Sequence, residues 1–269
     1  MTNIEKLLLN VNNYHHRSWK DMFPDGKVLL KDLYIHRSWK DIIFNDITKP
    51  YIEYLEEELS ECIEDEELVF PYYDLVFHAL NITPLRKTKV VILSQDPYYD
   101  YESHHNIPIP QAMGLCFSVP HGINIPSSLK NIYANLLKYK HIHKMPTHGN
   151  LIFWAHQGCL MLNTSLTVKY GKQNKNCHAK YWRIFTDNVI KSISKNNKNM
   201  IFVLWGAHAL KKLKLIDQNK HKVIISSHPS GLSCNKPLKN FSPFAKQDHF
   251  GIINKYLIKH KKQSIIWNI

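Results

Sequence analysis

Four short apolar runs, each closing in polar residues and separated by amphipathic stretches, constrain the fold of this chain most. They are KVVIL (89–93), CLMLN (159–163), MIFVLWG (200–206) and KVIISSHP (222–229). Between them lie SSLKNIYANLLKY (127–139), KYWRIFTDNVIKSI (180–193) and AHALKKLKLI (207–216), whose apolar residues recur at helical spacing. Branched apolar runs of this length read as strands buried on both faces, and their alternation with helices gives a parallel sheet. The predicted fold is therefore α/β: a three-layer sandwich with a central, mostly parallel four-stranded sheet flanked by helices on both faces. The consequence is geometric. Asp96, Asn163, Gly206 and His228 follow the carboxyl ends of the four strands and should share one edge of the sheet, the edge at which open parallel sheets bind ligands.

Each of these residues also has an ordinary structural reading. Asp96-Pro97 can make a turn, Asn163 can cap the next one, His228-Pro229-Ser230 can be a proline turn, and Phe117 can belong to the core. The charge distribution adds a direction. Residues 1–80 carry eight Lys and Arg against sixteen Asp and Glu, whereas 81–269 carry 27 against six, a surplus of 21 positive charges in a chain of net charge +13. A polarised basic region of this kind points to a polyanion such as nucleic acid, with a composition rich in Lys, Asn and Ile as the competing explanation. An Asp, a His and an Asn at one sheet edge beside an aromatic ring suit a flat polar heterocycle at the end of a nucleic-acid groove.

Other classes are disfavoured. No stretch approaches the roughly 20 apolar residues of a membrane span, and MTNIEKLLLNVNNY lacks the parts of a secretory signal, so a soluble, intracellular protein is expected. Five cysteines without a Cys-x-x-Cys pair fit reduced thiols. His104/His105 and His141/His143 have no acidic or Cys companion at ligand spacing and read as solvated loop residues, so no metal is expected. HRSWKD occurs at 16–21 and again at 36–41. The second copy reads as the start of a helix with Ser38 as N-cap, the first as a partial duplication in an N-terminal extension over 1–30 that precedes one domain at 31–269. KPYIEYLEEELSECIEDEEL (49–68) reads as a helix with Tyr51, Leu55 and Leu59 on one face and a solvated acidic face opposite.

SQDPYY (94–99), GLCFSVP (114–120), IPSSLKNIY (125–133), HGNL, WAHQG and LMLNTSLTV (within 148–168), LWG (204–206) and HPSGLS (228–233) occur in this order. This set resembles family 1 of the uracil-DNA glycosylases over about residues 36–267. The resemblance implies a monofunctional repair enzyme that flips uracil out of single- or double-stranded DNA and hydrolyses its glycosidic bond, as a monomer and without a cofactor. It assigns Asp96 and His228 to catalysis, the first to the cationic sugar and attacking water, the second to uracil O2. Gln95, Tyr98, Phe117 and Asn163 would bind the base, with Tyr98 against C5 and Asn163 on O4 and N3. Leu232 would wedge into the stack, with Pro126, Ser128, Ser230, Ser233 and Lys236 at the DNA backbone.

The chain departs from the family pattern at several positions. Ser94 stands where Gly is usual, Tyr99 and Met113 where His is, Gly231 where Pro is, Lys236 where Arg is common, and Leu213-Lys214 where a Gly-Ser pair is. About residues 100–110 form an insertion. These departures keep a second reading in view, a catalytically weakened glycosylase-fold DNA-binding subunit of a replication assembly. A Ser-His-Asp hydrolase is disfavoured, because no Gly-x-Ser-x-Gly elbow is present.

Overall fold

The computed structural model describes residues 18–104 and 106–269. Helix α1 (Trp19–Met22) starts at Ser18, which forms a capping box with Asp21. Helix α2 (Arg37–Ile43) starts at His36, whose Nδ1 accepts the Ser38 N–H. The N-cap thus lies two residues before the expected Ser38. The two HRSWKD copies place their tryptophans alike: Trp19 donates its indole N–H to the Val69 and Pro71 carbonyls, and Trp39 to that of Thr83. Both rings are buried. His16, Arg17 and the stretch MTNIEKLLLNVNNY lie outside the described residues.

Helix α3 (Lys49–Glu64) buries Ile52, Leu55, Leu59, Cys62 and Ile63. Tyr51, expected on this face, is 41% exposed. Ile52 takes the inward position because 52, 55, 59 and 63 keep helical spacing while 51 falls to the side. Most of the acidic face is solvated, with two exceptions. Glu56 accepts the Leu30 N–H at 2.6 Å, and Glu58 pairs with Lys169 at 3.3 Å.

After β1 (Val69–Phe70) and α4 (His78–Ile82) comes the first core strand, β2 (Val90–Ser94). The expected insertion is an antiparallel hairpin, β3 (Tyr101–His104) and β4 (Ile107–Pro110). His104 is therefore a strand residue rather than a loop residue, and His105 lies outside the described residues. Then follow α5 (Ser127–Lys138), α6 (Ile152–His156), β5 (Cys159–Asn163), β6 (Val168–Lys169) and α7 (Ala179–Asn196). The chain continues through β7 (Ile201–Trp205), α8 (Gly206–Leu210), β8 (Lys222–Ser226) and α9 (His249–Lys259). The helix expected over 207–216 is α8 followed by a 3-10 segment, Lys211–Leu215.

The four core strands pair in the order β5-β2-β7-β8, all parallel, as the alternation of strand and helix requires. Ser94 stands opposite Asn163, Leu93 opposite Leu204, and Trp205 opposite Ser226, so the strands end nearly level. All of β5 and β7 is buried, and so is β2 up to Leu93. Helices α2 and α3 pack on α7, while α4 and α6 pack beside β5. All five cysteines are free thiols. No described helix is long and apolar enough to cross a membrane.

Candidate active site

Because the four parallel strands end level, the residues that follow them converge. A cavity of about 530 Å³ opens there, lined by the first loop from Ser94 to Asp100, by Gly114, Phe117 and Ser128, and by Asn163, Lys175, His228, Ser230, Leu232 and Ser233. The edge predicted from the strand pattern is therefore a pocket. Backbone bonds join the loop after β2 to the loop after β5: Thr164 N–H donates to the Ser94 carbonyl, and Ser165 N–H to that of Gln95. Thr164 Oγ1 also donates to Gln95 O at 2.9 Å and lies 2.7 Å from His208 Nε2.

Asp96 accepts the backbone N–H of Asn176 at 3.2 Å. Burial raises its pKa above the usual carboxylate value, although Lys175 and two backbone N–H groups pull the other way. His228 follows β8. Burial, with a contribution from Lys175, lowers its pKa to about 4, so the ring is neutral at pH 7. Its Nδ1 accepts the Ser230 N–H at 3.1 Å, which leaves the proton of the neutral ring on Nε2. Gly206 makes room for it. At φ +93, a Cβ on Gly206 would stand 2.9 Å from His228 Cβ.

Phe117 occupies the left-handed region at φ +65, a costly conformation for a bulky residue. Its ring lies 5.6 Å from that of Trp205 and 5.8 Å from that of His228, centroid to centroid. Tyr98 donates its hydroxyl to Phe117 O at 3.3 Å, which holds the two rings on neighbouring walls. Asn163 is 7% exposed, and its Oδ1 is buried without a partner among the described residues. A buried acceptor left unpaired costs about 1–3 kcal/mol, so it marks a position where a ligand donor fits. The Gln95 side chain donates to Asn176 Oδ1, and its backbone carbonyl accepts from Ser165 N–H and Thr164 Oγ1.

The expected DNA-contact residues are distributed around this opening. Ser128, Ser230, Leu232 and Ser233 line it, and Leu232 is 85% exposed, a position that burial in its own fold does not explain. Pro126 is the N-cap of α5, just before Ser128 on the rim, while Lys236 is exposed and lies outside the lining. At Gly231 the space that a Cβ would enter is open, with nothing within 4 Å of it. Lys175 lines the cavity, and Asn176 bonds Asp96 and Gln95. Nothing local in the sequence marks Asn176, since its partners lie some eighty residues away.

The reading of His141 changes. His141 Nε2 lies 2.6 Å from Asp248 Oδ1, an acidic companion 107 residues away that ligand spacing along the chain could not reveal. Glu58, Cys62 and His178 bring potential ligand atoms within 4.8 Å of one another between α3 and α7. Lys169 Nζ already supplies a positive charge there, 3.3 Å from Glu58 and 2.7 Å from Glu67.

Comparison with known proteins agrees with this geometry. Residues 80–257 match the family described as the uracil DNA glycosylase superfamily. A probable uracil-DNA glycosylase of Acanthamoeba polyphaga mimivirus is 39% identical over 276 residues, covering 98% of this chain and 73% of that protein. A uracil-DNA glycosylase of Francisella tularensis subsp. novicida is 41% identical over 228 residues, covering 85% of this chain and 97% of that protein. The crystal structure of mimivirus uracil-DNA glycosylase superposes with a TM-score of 0.90 at 39% identity, with 97% of each chain covered. A mimivirus variant has also been solved in complex with UGI, with a TM-score of 0.89.

Proposed function

The chain belongs to the uracil DNA glycosylase superfamily and is a DNA-repair glycosylase, and from that premise we propose how its residues excise uracil. The observation that carries the reading is Asn163, whose buried, unpaired Oδ1 faces the need for a donor that uracil N3–H meets. A base inside a duplex cannot reach such a pocket, so the nucleotide is flipped out of the stack. Phe117 stacks on the ring, Asn163 accepts from N3–H and donates to O4, and Tyr98 fills the space at C5 where thymine carries a methyl group. The Gln95 backbone supports O2.

As the glycosidic bond breaks, positive charge develops on the sugar and negative charge on uracil. The Asp96 carboxylate stabilises the first and orients or deprotonates the attacking water. His228, neutral and protonated at Nε2, donates to O2 and stabilises the second. The products are free uracil and an abasic site, with atoms balanced by one water. Leu232 fills the vacated stack, while Pro126, Ser128, Ser230, Ser233 and Lys236 hold the backbone on either side.

On this reading the catalytic unit is 31–269, it acts as a soluble intracellular monomer, and both single- and double-stranded uracil-DNA are substrates. Neither metal nor cofactor enters any step. The test is direct: the purified chain is incubated with a uracil-containing oligonucleotide and the product is treated with alkali. Strand cleavage at the uracil position is expected. An intact strand at enzyme excess would overturn the assignment.

A further inference from the structure

The loop between β6 and α7, residues 171–178, contributes Lys175 to the cavity lining and Asn176 as a partner of Asp96, and the excision chemistry above leaves it without a task. We infer that it is a working part of the active site: Asn176 positions Asp96 and Gln95, and Lys175 holds a backbone phosphate of the extruded nucleotide. The inference rests on the uracil-excision reading above.

The loop is fixed at several points. Gly171 N–H donates to the Tyr99 carbonyl at 3.0 Å, Cys177 Sγ accepts the Lys169 N–H at 3.3 Å, and His178 Nδ1 lies 2.9 Å from Thr167 Oγ1. Between these anchors Asn176 takes φ +67, a left-handed conformation that Asn tolerates better than other side-chain-bearing residues. That conformation lets one residue make two contacts. Its backbone N–H reaches Asp96 Oδ2 at 3.2 Å, and its side-chain Oδ1 accepts from the Gln95 amide. A catalytic carboxylate must be held in one rotamer to be useful, and few other described groups bond this one.

Lys175 differs from an ordinary surface lysine in its position. Among the described residues it is the lone Lys or Arg lining the cavity, and none of the described carboxylates lies within ion-pair distance of it. It shares the mouth with Ser128, Ser230 and Ser233, whose neutral hydroxyls can donate to a phosphate but cannot neutralise it. A flipped nucleotide carries its phosphates to this rim. The same positive charge favours the ionised form of Asp96 and the neutral form of His228, the two states the reaction uses.

The test uses the full chain. Binding is measured against salt with an oligonucleotide containing a tetrahydrofuran abasic analogue, and uracil release is measured under single-turnover conditions. Lys175→Gln is expected to weaken binding and to reduce the log–log salt slope by about 1, with Lys175→Arg retaining it. The acid limb of the excision rate should move to higher pH in Lys175→Gln, since Asp96 loses the cation that favours its ionised form. The other titratable side chains lining the cavity are Tyr98, Tyr99, Asp100 and His228, and they are unchanged. Asn176→Val, which resists positive φ and displaces the N–H, should slow excision roughly 10- to 100-fold, with Asn176→Gly recovering much of the loss. An unchanged slope in Lys175→Gln overturns the phosphate role, and a wild-type rate in Asn176→Val overturns the positioning role. If the wild-type chain releases no uracil, the excision reading itself fails, while the binding slopes still decide the role of Lys175.

Discussion

Replacing Asn163 by Asp tests the pocket most closely. The wild-type amide offers one acceptor and one donor, which match uracil N3–H and O4. Cytosine presents the reverse pattern, an acceptor at N3 and a donor at N4, so both pairs are mismatched. With Asn163 only 7% exposed, water cannot repair either pair, and each unsatisfied group costs about 1–3 kcal/mol. Two mismatches give about 2–6 kcal/mol of discrimination, or roughly 30- to 30,000-fold in rate. In Asn163→Asp the donor to O4 is gone, and uracil excision should fall roughly 5- to 150-fold or more. The carboxylate supplies an acceptor for the cytosine amino group, so cytosine release should become detectable. The assay is single-turnover base release from matched oligonucleotides carrying uracil, cytosine or thymine at one position. Wild-type uracil preference in this variant, with no loss of uracil rate, would remove Asn163 from the base-reading role.

Asp96→Asn should slow excision roughly 10²- to 10³-fold while its Tm stays level or rises. Burial raises the folded-state pKa of Asp96, so its ionised form burdens the empty fold, and the amide removes that burden; a lowered Tm or an undiminished rate would contradict the assignment. Leu232→Ala should lose more activity on duplex than on single-stranded substrate, because single strands need little unstacking, and equal losses on the two would argue against a wedge. Acid should destabilise the protein below neutrality. Burial lowers His78, His178 and His249 from 6.5 to about 4, so between these values the unfolded chain binds more protons, and stability present above pH 6.5 is lost toward pH 4. A Tm that is flat from pH 7 to pH 4.5 in a thermal-shift series would refute this.

What the sequence made legible follows from local physics. The four core strands were readable because each is a continuous apolar run buried on both faces, and their level ends placed Asp96, Asn163 and His228 together. The hairpin at 101–110 was less readable, because YESHHNIPIP contains two prolines and little alternation, although Asn106 at φ +62 is the kind of turn residue such a hairpin needs. In α3 the inward face was displaced by one residue, since Tyr51 and Ile52 are both apolar and only the rest of the face decides between them. The pairing of His141 with Asp248 and the bond from Asn176 to Asp96 join segments 107 and 80 residues apart. No periodicity along the chain encodes such contacts. They depend on the relative placement of loops that the sheet carries, which is why the strand-end residues were found and the residues of the 171–178 loop were not.

The pKa shifts of the two proposed catalytic groups express one design. Desolvation disfavours charge on either group, raising Asp96 and lowering His228 to about 4, so the imidazole is neutral at pH 7 while the reaction calls on Asp96 as its carboxylate. Ionised Asp96 is thus held in a partly dehydrated site with a backbone N–H and the more distant Lys175 as its compensation. An oxocarbenium-like sugar brings the missing positive charge at the moment the bond breaks, so the carboxylate gains more from the transition state than from the neutral substrate. A cationic His228 would compete for that carboxylate and weaken the gain. Keeping the imidazole neutral, with Nδ1 committed to the Ser230 N–H, directs a single donor at the leaving base and reserves the charge of Asp96 for the sugar.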